Sequence, residues 1–135
     1  MFGNFRVNAS GMEAQRIRLD TIASNLANVN TTRGENGGPY KKRDVIFEAS
    51  SSPSAADGGL ISVRVKGVIK DSRPFKVVYS PGHPDADKDG NLKLPNINPI
   101  EEMVNMLSAI RAYESNIQAF KSSKDMMTKA LEIGR

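Results

Sequence analysis

The sequence predicts an α+β chain. Long N- and C-terminal helices pair as an antiparallel, coiled-coil-like hairpin, and a small antiparallel β-domain is inserted between them. Three observations predict this. The last third of the 135 residues opens on a helix start and then runs without Pro or Gly until Gly134. The first thirty residues carry a matching apolar period. The middle changes to two-residue alternation broken by Gly, Pro, Ser and Asp. The expected organisation is a terminal helix in 1–32, a β-rich outer region in 33–97 and a second helix in 98–135, with the two helical parts packed together.

The C-terminal helix is the clearest element. In Asn98-Pro99-Ile100-Glu101, Asn98 can cap, Pro99 sits at N1 where its missing N–H is harmless, and Glu101 falls at N3. A helix over 99–133 is roughly 50 Å long at 1.5 Å per residue. Its apolar positions are Met103, Leu107, Ile110, Tyr113, Ile117, Phe120, Met127 and Leu131, spaced mostly by three and four with Lys124 interrupting. This is a narrow seam of the coiled-coil kind. Met106, Ala109, Ala112, Ala119 and Met126 widen it toward a second face.

The N-terminal helix repeats the pattern through Met12, Leu19, Ile22, Leu26 and Val29. Ser10-Gly-Met-Glu13 has the form of a capping box, whereas Phe2, Phe5 and Val7 favour an earlier start. The end is expected near Asn28 to Asn30, with Asn at C′. Asn25, Asn28 and Asn30 are mediocre helix residues. Two readings stand: their amides bond a neighbouring helix and fix register in an assembly, or they fray and cap the helix end.

In the middle, 33–39 is a connector and Tyr40–Glu48 reads as a strand. The 49–59 stretch is a loop of small and polar residues. Ile61, Val63 and Val65 alternate with polar partners, and Gly67 suggests a bulge. Asp71–Pro74 is a turn, Phe75, Val77 and Tyr79 alternate again, and Leu92 and Leu94 make a short last strand. The sum is a small antiparallel sheet or meander.

Composition narrows function. No run approaches the roughly 18 apolar residues of a membrane span. MFGNFRVNASGMEAQ lacks a charged segment followed by an apolar one, so no Sec-type signal is expected. Without cysteine there are no disulfides or thiolate metal sites. The net charge of +4 is uneven: 33–97 holds eleven basic and eight acidic groups, while 98–135 holds five of each. Lys41-Lys42-Arg43 is the one basic run, with only Tyr40 beside it for stacking. It reads as a solvated strand start, and nucleic acid is not expected as a partner. The single histidine, His83, lies between Gly82 and Pro84. With no nucleophile motif and no phosphate-binding glycine loop, catalysis and a cofactor are not expected.

GHPDADKDG, Gly82–Gly90, begins like a calcium loop. Asp85, Asp87 and Asp89 stand at positions 1, 3 and 5, and Gly90 at position 6. Position 12 requires a bidentate glutamate. Here it is Asn96, and neither flank is helical. The structural reading makes Gly82, His83, Pro84, Asp85, Asp87, Asp89 and Gly90 a turn of Asx type, with Gly90 at positive φ. An EF-hand-like calcium-binding interaction module through 85–96 is the alternative.

A two-helix hairpin of this length leaves one side of each helix without a partner, and here that side is apolar. Soluble monomers rarely expose large apolar patches. The implied solution is other chains, and head-to-tail contacts that do not close make open helical filaments.

Asp20-Thr-Ile-Ala-Ser-Asn-Leu-Ala-Asn-Val-Asn-Thr-Thr32 resembles the N-terminal signature of bacterial flagellar rod and hook proteins. Asn25, Leu26, Ala27, Asn28, Asn30 and Thr31 carry the match. Glu102-Met-Val104 and Arg111-Ala-Tyr-Glu-Ser-Asn116 resemble the same family's closing helix. GPYKKRDVIFE, GHPDADKDG with PNIN after it, and the ending KALEIGR are similar to its short, proximal-rod members. The resemblance covers the chain except the 49–59 loop.

It implies a structural, non-catalytic subunit of the proximal rod, the helical drive shaft that carries torque across the periplasm. It implies terminal helices in an inner layer and a β-rich region facing outward. Implied partners are other copies of the chain, other rod proteins, the basal-body adaptor protein and the membrane ring. The resemblance also implies export through the flagellar type III apparatus with no cleaved signal. Candidate interface residues are Leu19, Ile22, Asn25, Leu26, Asn28, Val29 and Asn30 on the first helix. On the second they are Met103, Leu107, Ile110, Tyr113, Asn116, Ile117, Phe120, Met127 and Leu131.

Overall fold

The computed structural model describes residues 2–50 and 59–134. The order is α1 (Phe2–Ala27), β1 (Arg43–Ala49), β2 (Val63–Lys70), β3 (Lys76–Tyr79), β4 (Asn91–Leu94) and α2 (Pro99–Ile133). Most of the 49–59 loop expected from the sequence lies outside the described residues.

The two helices pack against each other and run antiparallel. Phe5 meets Phe120 edge-on with ring centroids 4.9 Å apart. Gly11 faces Asn116, and Asn25 bonds Glu102. Partners on α2 therefore move toward its start as α1 advances. Small residues let the axes approach. Ala14 and Ala109 are buried, and a Cβ at Gly11 would lie 2.9 Å from the Asn116 amide.

The α2 start forms as its sequence predicts. Asn98 is extended, and its Oδ1 accepts from Ile100 N at 3.1 Å. The α1 start lies earlier than a capping box at Ser10 would allow, because the helix already runs at Phe2. Ser10 instead joins two elements: its hydroxyl donates to Val7 O at 2.7 Å and accepts from Val63 N at 3.2 Å. The expected left-handed Asn cap is also corrected. Among the described residues only Gly37, Gly59 and Gly90 have positive φ. Helix α1 closes through a tightened turn, in which Asn28 N donates to Ser24 O and Asn25 O.

The β region is two separate two-stranded ladders rather than one sheet. The β1–β2 ladder is antiparallel and lies on α1. Its register slips where Ile46 faces Gly67 and Phe47 faces Val65, leaving Lys66 as the bulged residue beside the predicted glycine. The β3–β4 ladder is antiparallel and is joined by the Pro81–Gly90 turn. Among the described residues no Cα of this ladder comes within 8 Å of another helix or strand, although Leu92 is buried. Two short ladders keep separate edges because the Asp71–Pro74 turn breaks the chain between β2 and β3. There Asp71 accepts from Arg73 N and Nε.

The helix seam departs from its expected line. Glu102 and Ala109 are buried and Met106 is half-buried, while Met103, Leu107 and Ile110 are exposed. The expected and observed stripes converge at Tyr113, and from there Asn116, Ile117, Phe120 and Met127 are half-buried. Near its start, α2 is rotated by about one residue, roughly 100° of helix. The cause is polar. Glu102 has partners waiting inside the fold, so it turns inward and carries Met103 and Leu107 out.

Candidate assembly interface

A polar knot ties α1, β1 and α2 together. Asn25 is 1% exposed, and its amide is fully used. Nδ2 donates to Arg43 O at 2.8 Å and to Glu102 Oε2 at 3.0 Å. Oδ1 accepts from Arg43 N at 2.9 Å and from the Tyr40 hydroxyl at 3.0 Å. An amide has two donors and two acceptor sites, so nothing is left over. Ser24 lies 3.2 Å from the Tyr40 hydroxyl and extends the network. Asn25 is thus neither a fraying residue nor free to bond another chain. Asn28 serves its own helix end, donating to Ser24 O and accepting from Thr31. Asn30 is exposed.

Glu102, also 1% exposed, completes the knot with Lys42, whose ammonium lies 3.0 Å from Oε1. Lys42 is only 8% exposed, so it departs from the solvated strand start expected of the basic run, in which Lys41 is exposed and Arg43 half-buried. Burial alone would lower the Lys42 pKa. The hydrogen bond and charge of Glu102, helped by Asp44 and Glu101, outweigh burial and raise it. A buried carboxylate and ammonium are tolerated when paired and hydrogen-bonded. The sequence by itself does not mark Lys42, Glu102 and Tyr40 for this role. The available signal was a charged residue on the apolar side of α2, but its partners are distant in the chain.

The GHPDADKDG turn is built by its own side chains. Asp87 Oδ1 accepts from Asp89 N at 3.0 Å and from Asn91 N at 2.8 Å. His83 Nδ1 accepts from Asp85 N at 3.1 Å. Gly90 has φ +80°, and a Cβ there would meet Tyr79 and Pro81. Asp85 faces elsewhere: it accepts from Thr32 Oγ1 at 2.7 Å and Arg33 Nε at 2.5 Å. The Thr32 hydroxyl, with Arg33, holds the Asp85 carboxyl below its usual range. The aspartates therefore shape the turn and clamp it to the connector after α1. Among the described residues no cluster of three metal-binding side chains forms, and nothing supports the calcium alternative.

The outward side of α2 is apolar and uncovered. Ile100, Met103, Val104, Leu107 and Ile110 form a continuous stripe, with Leu107 58% exposed. The spacing i, i+3, i+4, i+7 and i+10 sets them on one face. A second bare set, Met126, Leu131 and Ile133, lies at the other end of α2. On α1, Leu19 and Leu26 are half-buried and Ile22 is buried, and Val29, in the turn just after the helix, is half-buried. Nine of the sixteen candidate residues fall into two groups, and of the others Leu19, Leu26, Asn28, Val29, Tyr113 and Met127 are half-buried and Asn30 is exposed. Ile22, Asn25, Asn116, Ile117 and Phe120 sit within the hairpin, and Met103, Leu107, Ile110 and Leu131 face out. Among the described residues no helix is long and apolar enough to cross a membrane.

Comparison with known proteins places this arrangement. Residues 5–33 match the family described as flagella basal body rod protein, and residues 88–133 match the C-terminal family of the flagellar basal body rod FlgEFG proteins. The flagellar basal-body rod protein FlgC of Borreliella burgdorferi is 42% identical over 98% of this chain and 97% of its own length. FlgC of Escherichia coli O157:H7 is 42% identical over 97% of this chain and 96% of its own. FlgC of Bacillus subtilis is 37% identical over 99% and 98%. With both terminal helices matched to rod-protein families and the likeness running end to end, the chain belongs to the FlgC family of flagellar basal-body rod proteins.

Proposed function

We propose that this chain is a structural subunit of the flagellar proximal rod, polymerising into the shaft that transmits torque across the periplasm. The observation that carries the proposal is the end-to-end likeness to FlgC proteins. The geometry supports it: the chain pairs Asn25, Glu102 and Lys42 inside and leaves apolar helix surface for neighbours. The helical parts, 1–32 and 98–135, form the inner layer of the rod, and 33–97 faces outward. Met103, Leu107, Ile110 and Leu131 meet neighbouring subunits, while Ile22, Asn25, Asn116, Ile117 and Phe120 hold the hairpin in the shape that presents them.

The partners are further copies, the other rod proteins, the basal-body adaptor and the membrane ring. The subunit reaches them through the flagellar type III export apparatus. The role is mechanical, not catalytic, and many weak contacts share the load.

Leu107→Asp tests this. Leu107 is exposed, so the single chain should fold normally, its stability changing by no more than ~0.5 kcal/mol. In a strain lacking the native chain, the variant should restore little or no swimming. Full motility with intact rods would refute the inner-layer role of α2.

A further inference from the structure

Lys42 turns into the fold to meet Glu102. Its neighbours Lys41 and Arg43 line a cavity of about 550 Å³ beside the connector after α1, where β1 starts and β2 ends, and Lys70 lines it from β2. Lys41 and Arg43 are each laid on an aromatic ring. The Lys41 ammonium lies 5.7 Å from the centroid of Phe75, and the Arg43 guanidinium 5.6 Å from that of Tyr40. The Tyr40 ring is itself held by its hydroxyl, which is bonded to Asn25. These cations are therefore set in place before any ligand arrives.

Arg43 also stands directly opposite Lys70 in the β1–β2 ladder. Its backbone N–H and C=O both go to Asn25 rather than across the ladder. The pair is thus of the non-hydrogen-bonded kind, in which opposed side chains come closest. Like charges so placed are destabilising. Yet Lys41, Arg43 and Lys70 have no carboxylate partner among the described residues. The other cation lining the cavity, Arg33, is already paired with Asp85, and the one carboxylate lining it is Glu35. Local conflict of this kind, kept in a cleft of one charge sign, marks functional sites and draws in anions.

We propose that this cavity binds an extended acidic segment of another protein, in which carboxylates alternate with uncharged side chains. Lys41 and Arg43 are two residues apart, with Lys42 turned away between them. Alternate side chains of an extended chain stand roughly 7 Å apart on one face. A second extended chain alongside offers its carboxylates at the same interval, and Lys70 meets that segment from across the ladder. A single phosphate does not fit as well, because Lys41 and Arg43 are held on separate rings. The site goes beyond the rod reading and needs no assembly to work.

The test uses the isolated full chain and a fluorescein-labelled pentapeptide with glutamate at its second and fourth positions, read by anisotropy at low salt. The peptide should bind, and its glutamine version should bind about tenfold more weakly or worse. Arg43→Gln and Lys70→Gln should each weaken binding by about tenfold or more. Lys88→Gln, which removes an exposed cation outside the cavity, should leave binding unchanged. Lys70→Gln gives a second readout. Relieving the like-charge pair should raise the urea midpoint of the ligand-free chain, the opposite of losing a stabilising surface cation.

No binding, equal binding of the two peptides, or an equal loss from Lys88→Gln would overturn the proposal. So would a lowered urea midpoint in Lys70→Gln, or displacement of the peptide by an equal concentration of inorganic phosphate. Each of these outcomes leaves the rod role standing, because that role rests on the family and not on this cavity.

Discussion

The two ends of the helical hairpin are built by opposite rules. At the connector end, Asn25, Glu102, Lys42 and Tyr40 are joined to one another, and Asn25 also bonds the Arg43 backbone of β1 in both directions. At the far end, α2 exposes Met126, Leu131 and Ile133. A directional polar network has one good geometry, so it sets the register and rotation of the helices. Apolar contact is non-directional and accepts a partner from outside. The chain thus fixes its shape at one end and keeps surface free at the other. The rotation imposed by the knot also turns Met103, Leu107 and Ile110 outward, so the closed end creates the exposed stripe.

The sharpest way to break this comparison is Glu102→Ala. It removes the 3.0 Å partner of the buried Lys42 ammonium, leaving only Asp44 at 3.8 Å and Glu101 at 3.9 Å, and leaves one Asn25 donor unpaired. Removing one member of a buried ion pair costs about 3–5 kcal/mol. Urea unfolding of the isolated chain should show a loss of that order. A loss under ~1 kcal/mol, on the scale of one exposed pair, would mean that the knot does not organise the fold.

A subtler effect is the pH response. The Lys42 pKa lies above its ordinary 10.5 in the folded chain. The pair's contribution is therefore complete below that value and is lost as pH climbs through the raised one. Asp85 behaves in the reverse sense. Its folded pKa lies below 3.8, so the clamp on Thr32 and Arg33 is present above 3.8 and is lost as pH falls through the depressed value. Carboxyl NMR titration should place Asp85 below the usual carboxylate range, and Thr32→Val should move it back up. An unchanged titration in the variant would remove Thr32 from the clamp. The smallest effect on the single chain is that of Leu107→Asp, whose consequence belongs to assembly alone.

Much of this fold is legible in the sequence. Asn98-Pro99 starts α2 where the capping pattern says, Gly67 marks the bulge, and the Asp87–Gly90 turn follows from Asx chemistry. The family is legible in the asparagine-rich stretch after Asp20. The line of the helix seam is less so, because α2 is apolar on two sides and periodicity cannot choose between them. The choice falls to Glu102, whose partners Asn25 and Lys42 lie far away in the chain. Lys42 misleads for the same reason: in a basic run it reads as solvated, and only the fold supplies its carboxylate. The split of the β region into two ladders depends on which strands meet, and alternation alone does not carry that.

The most direct test is a cryo-EM map of the intact basal body with this chain traced. It should show Ile100, Val104 and Leu107 covered by a neighbouring subunit, with the Asn25–Glu102 knot intact within each chain. A rod in which that stripe stays bare, or in which Asn25 leaves Glu102 to bond another subunit, would contradict the account.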